Sequence, residues 1–155
     1  MGDSRWLKRP YERADENIVV SLWLLSHARS RHAARHKSRD SDGYWRQHAD
    51  IVVGLLDRAT CMVLADPGAS GVVLAFACWS PDVVHYAAVK GRFAEWREAM
   101  LEDLIGDLFN LPMRYSYPIP HMRAPSTWIE DQHCLHGILS QPTAKRSTFL
   151  RGSHG

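Results

Sequence analysis

The chain has 155 residues, 45% of them hydrophobic and 23% charged, with a formal net charge of +2. Such a composition excludes a disordered, fibrous or strongly polyelectrolyte protein, and the length suits one domain with a real core. The longest apolar runs, near residues 18–25 and 72–79, fall far short of a bilayer span, so no membrane association is expected. Arg5, Lys8, Arg9, Glu12 and Arg13 punctuate the opening before any apolar stretch, against a secretory leader.

In chain order, residues 5–9 suit a short strand that stops at Pro10. Asp15 reads as a helix N-cap with Glu16 in the first turn, and Ile18, Leu22, Trp23 and Leu25 form a helical apolar stripe to about Ser30. The basic stretch that follows, with Arg29, Arg31, Arg35, Lys37 and Arg39 before the first acid, reads as loop or frayed helix. It is the one candidate patch for an acidic partner such as nucleic acid. Asp40-Ser41-Asp42 signals a second helix start, and Trp45, Ile51, Val52, Leu55 and Leu56 carry helical spacing to Arg58.

The period then changes. Residues 61–65 suit a buried strand, residues 66–71 a six-residue turn, and residues 72–79 the returning strand of a hairpin. Ser80-Pro81-Asp82 leads to a third strand over residues 83–89, and residues 93–108 read as a helix. After the Asn110-Leu111-Pro112 stop, residues 113–117 alternate as a strand. Residues 118–141 are loop-rich, and residues 142–155 form a polar tail outside the expected domain over residues 1–141. The order implies one α/β domain whose mixed, mostly antiparallel sheet is flanked by helices.

Cysteine and histidine offer little chemistry at this level. Cys61 and Cys78 fall in expected strands and read as buried thiols, and no CxxC spacing exists. Neither His32/His36 nor the run His133-Cys134-Leu135-His136 supplies a four-ligand zinc pattern, so no metal is expected. Six tryptophans are many for this length. Trp96, at an expected helix start, is a candidate contact residue beside Arg97.

Several phrases in this order resemble the GNAT superfamily of acyl-CoA-dependent N-acyltransferases, and in particular its short phage-encoded members. They are Leu7-Lys8-Arg9-Pro10 followed by Asp15, Ser21-Leu22-Trp23-Leu24-Leu25-Ser26, Val84-His85-Tyr86 through Val89-Lys90 then Phe93, and Pro125-Ser126-Thr127-Trp128. The likeness spans roughly residues 6–135. It implies a GNAT-like fold, acetyl-CoA as acyl donor if the chain is catalytic, and a primary amine as acceptor. It places the oxyanion-binding backbone N–H near Ala88 and Val89, a base at His85 or Tyr86, and an acid at Tyr115 or Tyr117.

The family's pyrophosphate loop, Arg/Gln-x-x-Gly-x-Gly/Ala, departs here. Its two glycine positions fall on Glu95 and Arg97, and Ala94 takes the place of a basic residue. A Cβ at those positions hinders close backbone approach. A carboxylate about 4 Å from a phosphate repels it by ~1 kcal/mol in water and ~4 kcal/mol at an effective dielectric of 20. Lys90, Arg92 and Arg97 are the replacement phosphate ligands at hand. From this departure the leading expectation is a non-catalytic protein without a cofactor, acting through protein contacts as a phage-particle or assembly component or as a homo-oligomer. Its expected place is the host cytoplasm or the virion. The alternative is a working N-acetyltransferase.

Overall fold

The computed structural model describes residues 5–28 and 41–131. Strand β1 (Leu7–Pro10) leads through a 3-10 turn (Arg13–Asp15) into helix α1 (Glu16–Ala28). Helix α2 (Ser41–Arg58) precedes β2 (Thr60–Asp66), β3 (Ala69–Ser80) and β4 (Val83–Val89). A 3-10 segment (Gly91–Trp96) enters α3 (Arg97–Ile105), and β5 (Arg114–Tyr115) and β6 (Ile129–Glu130) complete the sheet. The six strands lie in the order β1-β2-β3-β4-β5-β6; the first three pairings are antiparallel and the last two parallel. The protein is therefore a single α/β domain, with a mixed sheet flanked by helices. Among the described residues no helix is long and apolar enough to cross a membrane.

Strand alternation divides the core in two. Cys61, Val63, Phe76, Cys78, Tyr86 and Ala88 face α1 and α2, where Val19, Trp23, Val52 and Leu55 meet them. Leu64, Ala75, Ala77, Val84 and Ala87 face the opposite side, against Met100, Leu101, Leu104 and Ile105 of α3. Trp23 stacks on both Phe76 and Tyr86, with ring centroids 5.5 and 5.3 Å away, and those two rings are 6.4 Å from each other.

Four expectations are corrected. Asp15 does not cap α1; it ends the preceding turn, where its Oδ2 accepts the Glu12 N–H at 2.8 Å. The hairpin turn is tighter than six residues, because Asp66 pairs with Ala69 and the Asp66 Oδ1 accepts the Gly68 N–H at 2.8 Å. The extra residues are absorbed as irregularities around Ala65 rather than as loop. The third helix begins at Arg97, since Phe93 has non-helical φ −109° and ψ 25°. Finally, β6 lies beyond the last expected strand. It is held by N–H donation from Ile129 to the Met113 carbonyl and from Asp131 to the Tyr115 carbonyl, and Arg114 bridges Asp82 and Asp131.

A bidentate pair fastens the front of the sheet. Arg9 donates to both Asp15 oxygens at 2.7 and 2.8 Å and also to the Ser70 carbonyl. Burial alone would raise the Asp15 pKa, but hydrogen bonds from Arg9 and from the Glu12 N–H, with the Arg9 charge, outweigh it and hold the carboxyl below its ordinary value. Asp15→Asn is expected to cost about 1–3 kcal/mol. Because the folded value is the lower one, the pair's contribution is present above the unfolded carboxyl value of about 3.9 and is lost as pH falls through the folded value. Urea unfolding of both proteins at pH 7 and near pH 2.5 checks this: the difference between them shrinks in acid.

Candidate functional site

β4 and β5 pair at only two positions, Val83 with Arg114 and Val84 with Tyr115. Beyond them the chains separate: β4 continues to Val89, while the other leaves strand geometry at Ser116. Between them opens a groove of about 980 Å³. Its walls are the Ile18–Ser26 side of α1, the end of β4, the start of α3, and residues 118–122. This volume is ordinary for a small-molecule site.

The backbone makes one wall polar. The Lys90 N–H donates to the Leu74 carbonyl at 3.0 Å, so Lys90, Ala88 and Tyr86 direct their main-chain groups toward β3. By alternation the N–H groups of Ala87 and Val89 point the other way, into the opening. Ile18, Leu22, Leu25, Leu101, Ile119 and Met122 supply apolar surface around them. Lys90, Arg92, Arg97 and His121 supply basic side chains, and among the described residues no acidic side chain lines the groove.

Glu95 does not obstruct this site. The helix starts at Arg97 rather than at Phe93; Glu95 precedes it and lines an adjoining depression with Glu98, Glu102 and Arg123, which shares Arg97, Leu101, His121 and Met122 with the groove. The residue at the turn out of β4 is Gly91, which lines the groove, and a Cβ there would meet nothing within 4 Å. The first turn of α3 lacks a side-chain N-cap, and the Arg97 N–H donates to the Ala94 carbonyl of the preceding 3-10 segment. Trp96 is not freely exposed, as it is half-buried with the Arg5 guanidinium stacked 4.3 Å from its ring centre.

Of the residues singled out from the sequence, Ala88, Val89, Lys90, Arg92 and Arg97 come together on the groove. Tyr86 lies directly beneath it, its hydroxyl 3.0 Å from the hydroxyl of Ser26, a groove residue. His85 and Tyr117 meet elsewhere, at a cavity of about 20 Å³ with His27, His48 and Ser116. That is room for a single water.

His85 reaches this face through a β-bulge. Cys78 pairs with Tyr86 and Trp79 with Val84, so His85 is the extra residue and shares the α1/α2 side with Tyr86. Its Nε2 is 2.8 Å from the Ser80 Oγ, and burial pushes its pKa down to about 4 against a partly opposing Asp82 charge.

Tyr115 is not part of this assembly. It packs on the opposite core, 6.2 Å from the Trp128 ring. The alternation that would align it with Tyr117 fails because β5 ends at Tyr115. Burial raises the pKa of both phenols.

Two groove residues escaped the sequence reading. Ser26 belongs to the Ser21–Ser26 phrase of the first helix but is assigned no site role there. His121 follows Pro118-Ile119-Pro120 and adopts φ 62°, the left-handed region that a residue with a Cβ enters at a cost. Among the described residues no cluster of three or more His, Cys, Asp or Glu side chains is placed to hold a metal. The basic residues Arg29, Arg31, Arg35, Lys37 and Arg39, His32/His36, the run 133–136 and the tail 142–155 all lie outside the described residues.

Comparison with family models, with curated proteins and with solved structures finds no match to this chain.

Proposed function

We propose that the groove between β4 and β5 binds an acyl-CoA-type thioester and that the chain transfers the acyl group to a primary amine. One observation carries this reading: a single opening combines apolar walls, two inward-facing strand amides and a rim that is basic among the described residues. Such a site suits an elongated ligand that is apolar at one end and multiply anionic at the other. Lys90, Arg92 and Arg97 meet the phosphates through charge-assisted hydrogen bonds. The Ala87 and Val89 N–H groups are the donors for a thioester oxygen that gains charge as the amine adds. A bound thioester supplies the activated carbonyl, and Ser26, its hydroxyl 3.0 Å from that of Tyr86, offers a polar group on the same groove.

A second reading rests on His85. With its pKa near 4 and its Nε2 engaged by Ser80, this imidazole is too weak a base for an alkylammonium. That observation favours a protein that retains the groove but acts through protein contacts, as a phage-particle or assembly component. Calorimetry with acetyl-CoA and with free CoA, followed by an amine-acceptor screen, separates the two readings. Micromolar binding with acceptor-dependent release of CoA thiol supports the transferase. Binding without turnover supports the second reading, and no binding at millimolar ligand removes the groove proposal.

A further inference from the structure

Cys61 and Cys78 stand directly opposite each other on β2 and β3. The Tyr11 N–H donates to the Cys61 carbonyl at 2.9 Å, so the main-chain groups of Cys61 face β1 rather than β3. Those of Cys78 face β4, by the same alternation that runs back from Lys90. The two cysteines therefore form a non-hydrogen-bonded pair, the closer of the two antiparallel types, with Cα atoms about 4.5 Å apart. A disulfide spans Cα separations of about 4.4–6.8 Å. Both side chains enter the core beneath α1 and α2, and neither sulfur is in a disulfide. Cys61 is 7% exposed and Cys78 fully buried, which sets the order of attack.

We infer that Cys61 and Cys78 form a hydroperoxide-sensitive dithiol that closes a cross-strand disulfide between β2 and β3. The Cys61 sulfur attacks one oxygen of hydrogen peroxide; the S–O bond of a sulfenic acid forms, the O–O bond breaks, and the other oxygen leaves as water with the thiol proton. The Cys78 thiolate then attacks that sulfur; the S–S bond forms, the S–O bond breaks, and a second water departs with the proton. Two thiols and one hydrogen peroxide thus give one disulfide and two waters. This site is independent of the groove and of any acyl transfer there.

The test uses the intact, folded chain treated with hydrogen peroxide, then unfolded and alkylated with N-ethylmaleimide, digested without reductant and mapped by mass spectrometry. The expected result is a Cys61 peptide joined to a Cys78 peptide and lighter by two hydrogens, with both alkylations lost and Cys134 outside the bridge. The bridge persists in Cys134→Ser and disappears in Cys61→Ser. Alkylation of both Cys61 and Cys78 after peroxide overturns the inference. So does bridging through Cys134, or formation of the 61–78 bridge only after the chain is unfolded.

Discussion

Exchanging Lys90 and Arg97 together for glutamate is expected to lower affinity for CoA at least about a hundredfold while leaving the fold intact. Both side chains line the groove and neither belongs to the two buried clusters. Each exchange removes a charge-assisted donor and adds a repulsive carboxylate to a rim that has none among the described residues. The loss is expected to be smaller in high salt, because part of it is screened charge. Glu95→Gln provides the control: it lies in the neighbouring depression, so affinity stays within about twofold. Calorimetry of the three proteins with CoA at two salt concentrations, with circular dichroism for the fold, makes the measurement. Equal affinity in the double variant and the native chain would remove the basic rim from the site.

Stability is expected to fall by about 3 kcal/mol between pH 6.5 and pH 4, through His85. In the unfolded chain an imidazole titrates near about 6.5; in the folded chain burial holds this one down at about 4. The unfolded state therefore takes up the proton first. The full contribution of His85 is present above the unfolded value and drains away as pH falls toward the folded one. This window lies above that of Asp15, so a pH series of urea midpoints resolves the two. His85→Gln keeps a side-chain partner for Ser80 but cannot titrate, and it is expected to flatten the upper slope. A slope unchanged in that variant would place the acid sensitivity in other groups.

The fold was legible wherever a pattern was long. Helices α1 and α2 and the strands β2, β3 and β4 carry apolar residues at clear helical or strand periods, and they stand where those periods put them. Short elements were not legible. A strand of two residues, such as β6, has no period of its own; it exists because Met113 and Tyr115 offer it carbonyls. The start of α3 was misplaced because residues 93–96 have helical composition but turn as a 3-10 segment. That shift is what carries Glu95 away from the groove.

The candidate site was read in part. Residues 88–90, 92 and 97 are neighbours in sequence around one strand–helix junction, so their clustering follows from local order. Gly91 lies before Phe93, outside the span where the pyrophosphate loop is expected from the sequence. Ser26, His27 and His121 reach the site or its cavity from other elements, and nothing in their own neighbourhoods announces it. The bulge at His85 is likewise invisible in a strand that otherwise alternates.

What the sequence by itself determined is the α/β character, the order of the main elements and the basic junction after β4. Hydrophobic period and turn chemistry are local quantities, and they suffice for that. The tertiary structure alone decided that β4 and β5 part after two pairs, that Glu95 faces another depression, and that Tyr115 and Tyr117 lie on opposite sides of the sheet. It alone set Cys61 against Cys78. Each of these depends on strand register and on where a helix begins relative to distant partners, and a shift of one residue reverses the face of every side chain that follows.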